Sequence, residues 1–266
     1  MSKLAFVTGA SSGLGQALAI EFHRQGYRLA LAARRDHEIK AWIFRHGIST
    51  ESYKIYSVDV TQPEQLIEAA ADCMATLGVP DVVLACAGIS VGVDTAERED
   101  LEVMRQTWLT NNLGTAATFH PFIRPMQARQ SGTLVGLASV NGIRGLAGHG
   151  ANGPSKAAMI SYLESLRLEM RASHVRVVTL CPGYVATPLT AGNRFSMPFL
   201  LQPDEFACRA FKAVEAGASY RVIPWQMGVV AKLLRILPNA VFDRALSGRK
   251  RKSRAAKPVV DDDKQA

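Results

Sequence analysis

The chain has 266 residues, 48% of them hydrophobic, with a formal net charge of +8 and four cysteines. That length buries a sizeable core without staples, and Cys73, Cys86, Cys181 and Cys208 are too scattered for a disulfide framework or a C-x-x-C metal site. Much of the positive charge sits in Arg249-Lys250-Arg251-Lys252-Ser253-Arg254, with no recognition motif beside it, so no nucleic-acid partner is expected.

Leu4-Ala5-Phe6-Val7 is a short apolar run of the kind buried in a parallel sheet. Thr8-Gly9-Ala10-Ser11-Ser12-Gly13-Leu14-Gly15 follows, then an apolar-periodic helix from about Leu14 to Gln25, closed by Gly26. Strand, glycine-rich turn and helix in that order bring backbone N–H groups and a helix N-terminus against a pyrophosphate. A second strand, Arg28 to Ala33, is followed at once by Arg34 and Arg35. An acidic residue at that strand end would hold the adenosine ribose hydroxyls of NAD. Alanine there, with guanidinium groups next to it and Arg34 the first of them, favours the 2′-phosphate of NADP(H), and Arg34 is expected to carry that preference. A third strand, Lys54 to Val58, leads to Asp59 and Val60, and Asp59 is also placed to cap a helix opening near Pro63.

A fourth strand, Asp81 to Leu84, runs into Ala85-Cys86-Ala87-Gly88. Asn111-Asn112-Leu113-Gly114 falls in a helical stretch, where asparagine is otherwise unfavourable. A fifth strand, Thr133 to Ala138, ends at Ser139, and a helix from about Pro154 to Ala172 carries Lys156. After the sixth strand comes Cys181-Pro182-Gly183-Tyr184-Val185-Ala186-Thr187.

As a set, T-G-x-x-x-G-x-G, N-x-x-G, Ser139, Lys156 and P-G-x-x-x-T resemble the short-chain dehydrogenase/reductase family, over residues 3 to about 224. The resemblance implies one α/β domain over residues 1–224, a Rossmann-type doubly wound parallel sheet of seven strands with helices on both faces. It implies an NADP(H)-dependent oxidoreductase, such as a ketoreductase, working on a carbonyl or secondary alcohol. Cofactor contacts would come from Gly9, Ser11, Ser12, Gly13, Leu14, Gly15, Ala33, Arg34, Arg35, Asp59, Val60, Ala87, Gly88, Lys156, Pro182, Gly183, Val185 and Thr187. By the same resemblance Asp59 touches adenine, Ser139 binds the substrate carbonyl, Lys156 holds the nicotinamide ribose hydroxyls and Asn111 positions a relay water.

Two departures stand out. Ala85 and Cys86 replace a pair of asparagines that in the family stabilise the sheet. More consequentially, Asn152 stands four residues before Lys156, where the family has the tyrosine that gives a proton to the carbonyl. A carboxamide has no titratable proton near neutral pH, so impaired turnover is expected. Three readings stay open. One is an enzyme in which water in the vacated space, or His149, supplies the proton. Another is a non-catalytic NADP(H)-binding sensor or assembly subunit. The third is a competent enzyme whose tyrosine was replaced to trap a complex.

Past the family-like region, residues 225–247 read as an apolar helical extension and 248–266 as a charged, disordered tail. The stretch from Trp225 to Pro238 is short of the roughly 20 apolar residues that a membrane span takes. A helix closing the substrate pocket or packing on a neighbouring subunit is preferred to one lying in a membrane interface. The loop from Thr190 to Gln202, with Phe195, Met197, Phe199, Leu200 and Leu201, points to a hydrophobic substrate. By resemblance, the helices of Asn111 and Lys156 would build a homodimer or homotetramer. The N-terminus opens directly on the first strand, which implies no secretory leader and a cytoplasmic location.

Overall fold

Seven apolar runs become strands: β1 (Leu4–Thr8), β2 (Arg28–Ala33), β3 (Tyr53–Ser57), β4 (Val82–Ala85), β5 (Gly132–Leu137), β6 (Val175–Pro182) and β7 (Tyr220–Ile223). In this computed structural model, which describes residues 2–193, 196–248 and 251–254, they form one sheet in the order β3-β2-β1-β4-β5-β6-β7. Every ladder is parallel. The helices in the first half are α1 (Gly13–Arg24), α2 (Asp36–Arg45), α3 (Pro63–Thr76), α4 (Asp100–Trp108) and α5 (Gly114–Arg129). The second half adds α6 (Asn152–Met170), α7 (Pro188–Ala191), α8 (Pro203–Glu215), α9 (Trp225–Ile236) and α10 (Asn239–Leu246). This is the doubly wound sheet expected from the sequence.

Side chains that alternate along each strand feed two cores, because successive residues of a strand point to opposite faces. Ala5, Val7, Leu29 and Leu31 pack with Phe22, Trp42 and Phe206 of α1, α2 and α8. Leu4, Phe6, Ala30 and Ala32 pack with Phe119, Phe122 and Leu163 of α5 and α6. With helices on both sides, all of β1 and β4 is buried, which is why their sequences are continuous apolar runs.

The strand order reverses between β1 and β4, and a crevice opens beyond their C-terminal ends at such a switch point. The glycine turn lies there. Gly9 has φ +67°, and a Cβ on it would come within 2.6 Å of the Ala87 nitrogen; a Cβ on Gly15 would come within 2.2 Å of the Gly9 carbonyl oxygen. Only glycine lets the turn fold that tightly against the end of β4. The buried Trp42 indole donates to the Ala10 carbonyl at 3.0 Å and ties α2 to the same turn.

Three expectations are amended. α6 opens at Asn152 rather than Pro154, so the amide sits in the helix's first turn. The extension is two helices, α9 and α10, interrupted at Leu237-Pro238. The tail was expected to be disordered throughout, yet residues 251–254 lie against the loop of residues 90–100. There Arg251 pairs with Asp94 at 3.0 Å, and Arg254 pairs with Asp100 at 2.8 Å and Glu97 at 3.5 Å. Opposite charge, invisible to a reading of the tail alone, orders that piece. Arg249, Lys250 and residues 255–266, with the acidic Asp261-Asp262-Asp263, lie outside the described residues. Among the described residues no helix is long and apolar enough to cross a membrane.

Candidate active site

A cavity of about 630 Å³ runs along the switch point from the glycine turn to Ser139, Asn152 and Lys156. Every cofactor-contact and catalytic residue expected from the sequence lines it except Asn111. At the turn end, Ser12 is the N-cap of α1 in extended conformation. Its side chain makes no capping bond, and the first turn carries no acidic residue. The leading N–H groups of α1 are therefore left for an anion, the arrangement that seats a pyrophosphate. The residues present fit a dinucleotide.

The two arginines after β2 are placed differently. Arg35 Nη2 reaches Ser11 Oγ at 3.3 Å and Ser12 Oγ at 3.2 Å, so its guanidinium is held beside the turn. Arg34 is 71% exposed and stands 3.6 Å from the Asp59 carboxylate. Asp59 does not cap α3, whose N-cap is Gln62. It accepts instead from the Thr61 backbone N–H at 2.9 Å and the Thr61 hydroxyl at 2.8 Å. Burial alone would raise the Asp59 pKa; the Thr61 bonds and the Arg34 charge outweigh it and hold the carboxyl below its usual range.

At the other end, Lys156 donates to the Leu137 carbonyl at 2.7 Å. The surrounding protein strips water from the ammonium and lowers its pKa from 10.5 to about 8. Ser139 Oγ accepts the Asn141 backbone N–H at 3.1 Å, so its own proton can still be donated into the cavity. Asn152 is 7% exposed, and among the described residues its side-chain carboxamide makes no hydrogen bond; its backbone carbonyl accepts from Ser155 Oγ at 2.8 Å. Cys86 and Cys181, both free thiols, flank Lys156, and burial pushes the Cys181 pKa up to about 11.

Asn111 lies behind this wall. It sits in the π-turn Leu109–Leu113 that links α4 to α5. Its carboxamide accepts from the Ile89 N–H at 2.9 Å and donates to the Ile89 carbonyl at 3.1 Å and Ser155 Oγ at 2.9 Å. These bonds tie the loop after β4 to α6 and use both amide donors, while Oδ1 accepts one hydrogen bond and keeps a second lone pair. A Cβ on Gly88 would come 3.2 Å from Asn111 Oδ1 and 3.7 Å from Lys156 Nζ, so the glycine is what lets this tie pass close to the lysine.

Asn141 and Arg144 also line the cavity and were not singled out from the sequence. Asn141 Nδ2 lies 2.9 Å from His149 Nδ1, and both residues line the cavity. With the amide donating, a neutral ring keeps its proton on Nε2. Arg144 donates to the carbonyls of Leu234 and, at 2.7 Å, Leu237, and stacks on Phe242 at 3.8 Å. It thereby closes the C-terminal end of α9, whose Met227, Val230, Ala231 and Leu234 form an apolar wall. The 90-residue separation of Arg144 from Leu234 leaves no local spacing that could have revealed the pair. In the apolar loop, Pro198 lines the cavity beside Leu189 of α7, Phe199 and Leu200 are exposed and Leu201 joins the core, while Phe195 lies outside the described residues.

Comparison with known proteins agrees with this arrangement. The family model for short chain dehydrogenase matches residues 3–196. An uncharacterized oxidoreductase of Myxococcus xanthus is 37% identical over 243 residues, 91% of this chain and 96% of its own. The acetoacetyl-CoA reductase of an Acinetobacter strain is 28% identical over 194 residues, covering 72% of this chain and 78% of that protein. Among solved structures, ElxO with NADP bound superposes with a TM-score of 0.77 at 22% identity, over 84% of this chain and 97% of that one. A tyrosine-to-phenylalanine variant of ElxO with NADPH bound gives 0.75 over the same shares. At that identity the likeness is one of fold.

Proposed function

Because the chain belongs to the short-chain dehydrogenase family and is an oxidoreductase of that type, we propose that it is an NADP(H)-dependent carbonyl reductase for a substrate with a hydrophobic body. One observation carries the reading: a single cavity joins the open N-terminus of α1 to Ser139 and Lys156. When bound, NADPH supplies the hydride. The protein's part is to seat the phosphates on the turn, to hold the 2′-phosphate with Arg35 and the nearby Ser11 and Ser12, and to hold the ribose hydroxyls with Lys156. Ser139 donates to the substrate carbonyl and draws charge toward its oxygen. The wall of α9 excludes water from the apolar body.

The step that suffers is protonation of the oxygen. Asn152 is shorter than a tyrosine and leaves room for a water that passes a proton to the oxygen from solvent, with the imidazolium form of His149 as the second donor. This relay is a poorer acid than a positioned phenol. Turnover is therefore slow, and cofactor binding is unaffected because none of the phosphate or ribose contacts involves residue 152. A purely non-catalytic role is disfavoured by the survival of Ser139 and Lys156, which cofactor storage alone does not need in that pairing. The reading is tested by NADPH oxidation with hydrophobic ketones and aldehydes, comparing the protein with its Asn152→Tyr variant. No turnover by either on any carbonyl compound would overturn it.

The same reading extends to assembly in the cytoplasm as a homodimer or homotetramer through the helices that carry Asn111 and Lys156. Leu113 and Leu168, next to or on those helices, are 46% and 62% exposed, and a second copy would cover them. A solution mass equal to one chain would refute this.

A further inference from the structure

The ordered piece of the C-terminal tail brings one cation into the cavity. The Ser253 carbonyl accepts the Gly92 N–H at 3.0 Å, and a Cβ on Gly148 would come 3.0 Å from the Lys252 nitrogen. The tail therefore lies beside His149, at the end of the cavity that holds Ser139 and Asn152, away from the phosphate seat on α1. Its arginines turn to the acidic loop and are paired there, Arg251 with Asp94 and Arg254 with Asp100 and Glu97. Lys252 is treated differently. Its side chain is half-buried, it lines the cavity, and its ammonium donates at 2.6 Å to the neutral hydroxyl of Ser90, another lining residue.

Among the described residues no carboxylate stands within ion-pair distance of Lys252, while Asp94, Glu97 and Asp100 on the neighbouring loop are paired with arginines. A cation drawn partly out of water without a counter-charge costs stability unless a ligand brings one. Nothing in the NADP(H) seat needs it, because that seat already has the N-terminus of α1 and Arg35. The apolar wall of Met227, Val230 and Leu234 faces the same space.

We propose that Lys252, with Ser90, binds the carboxylate of the substrate, so that the preferred carbonyl compound is an oxo acid with an apolar chain. This rests on the reductase reading above and narrows it: the hydrophobic body lies on α9, and the acid end is held by the tail. The arginine pairs on either side of Lys252 act as the anchor that keeps the ammonium in place. The tail is thus a specificity element.

The test uses octanoate and 1-octanol, which share a chain and differ in the head group, titrated calorimetrically into the protein with and without saturating NADP. Octanoate should bind roughly ten- to a hundredfold more tightly than octanol, the range for a charge-assisted hydrogen bond. Lys252→Met should abolish that preference and Lys252→Arg should keep most of it, with NADPH affinity unchanged in both. Equal affinities, binding of neither probe, or a preference that survives Lys252→Met would overturn the proposal. Failure of the wild-type protein to bind NADPH would instead remove the reductase reading, and the titration without cofactor would still decide the role of Lys252.

Discussion

The two ends of the cavity are built by different means. At the turn end the work is done by backbone N–H groups, by glycines whose absence of a Cβ permits close packing, and by short hydroxyl side chains supporting Arg35. At the other end it depends on a few side chains brought from β5, α6, α9 and the tail. Backbone geometry tolerates substitution of most neighbours. Proton transfer does not, because it requires a particular atom with a particular pKa at one place. On the proposed reading, asparagine at residue 152 therefore affects the second end without touching the first.

The sharpest way to expose that difference is to restore the phenol. Asn152→Tyr should raise the rate of NADPH oxidation by about 10²–10⁴-fold, the usual value of general acid catalysis, while NADPH affinity stays within a few-fold. If the wild-type protein is already as fast, and His149→Ala removes that rate, the second end has a working acid without the phenol. The imidazole would then be the acid.

The turn end is probed by removing its arginines. Arg35→Ala should weaken NADPH roughly ten- to a hundredfold and leave NADH nearly unchanged, since a charge-assisted contact to the 2′-phosphate is lost. Arg34→Ala should do less, because its guanidinium is 71% exposed and shared with Asp59. Sequence alone favoured Arg34, the residue adjacent to Ala33; the hydroxyl partners of Arg35 reverse that emphasis. A larger effect at Arg34 in calorimetric titrations would restore it.

A smaller effect links the ends through Lys156. Its pKa in the unliganded protein is lowered to about 8 by burial, so the ammonium that meets the ribose is present below that pH and lost above it. NADPH affinity should hold steady up to about pH 7.5 and then fall by at most about tenfold per pH unit. Lys156→Met should be weaker throughout and flat across the same range. A wild-type profile without a bend would mean that the charge of Lys156 makes no contribution to binding.

Most of the fold and of the cofactor end was legible because both rest on local pattern. An apolar run, a glycine turn and an amphipathic helix lie within 26 residues of the N-terminus and specify their own geometry. The strand count, the switch point and the residues along it follow from repeating that unit. Asn152 was legible for the same reason, since its spacing to Lys156 along one helix fixes its place.

Contacts between distant segments were not legible. Asn111 carries a family-like motif, but only the packed structure places its carboxamide on Ile89 and Ser155, behind the wall rather than in it. Arg144 and the end of α9 are 90 residues apart. Lys252 lies 162 residues from Ser90, in a segment whose composition taken by itself calls for disorder. What orders it is an acidic loop more than 150 positions upstream, and pairing between two such segments leaves no period or spacing in either. The sequence by itself thus determined the sheet, the glycine turn and the place of Asn152 four residues before Lys156, because each is written in short-range pattern. The tertiary structure alone decided which arginine lies against the turn, how Arg144 caps α9 and which cation of the tail enters the cavity, because those depend on where remote side chains meet.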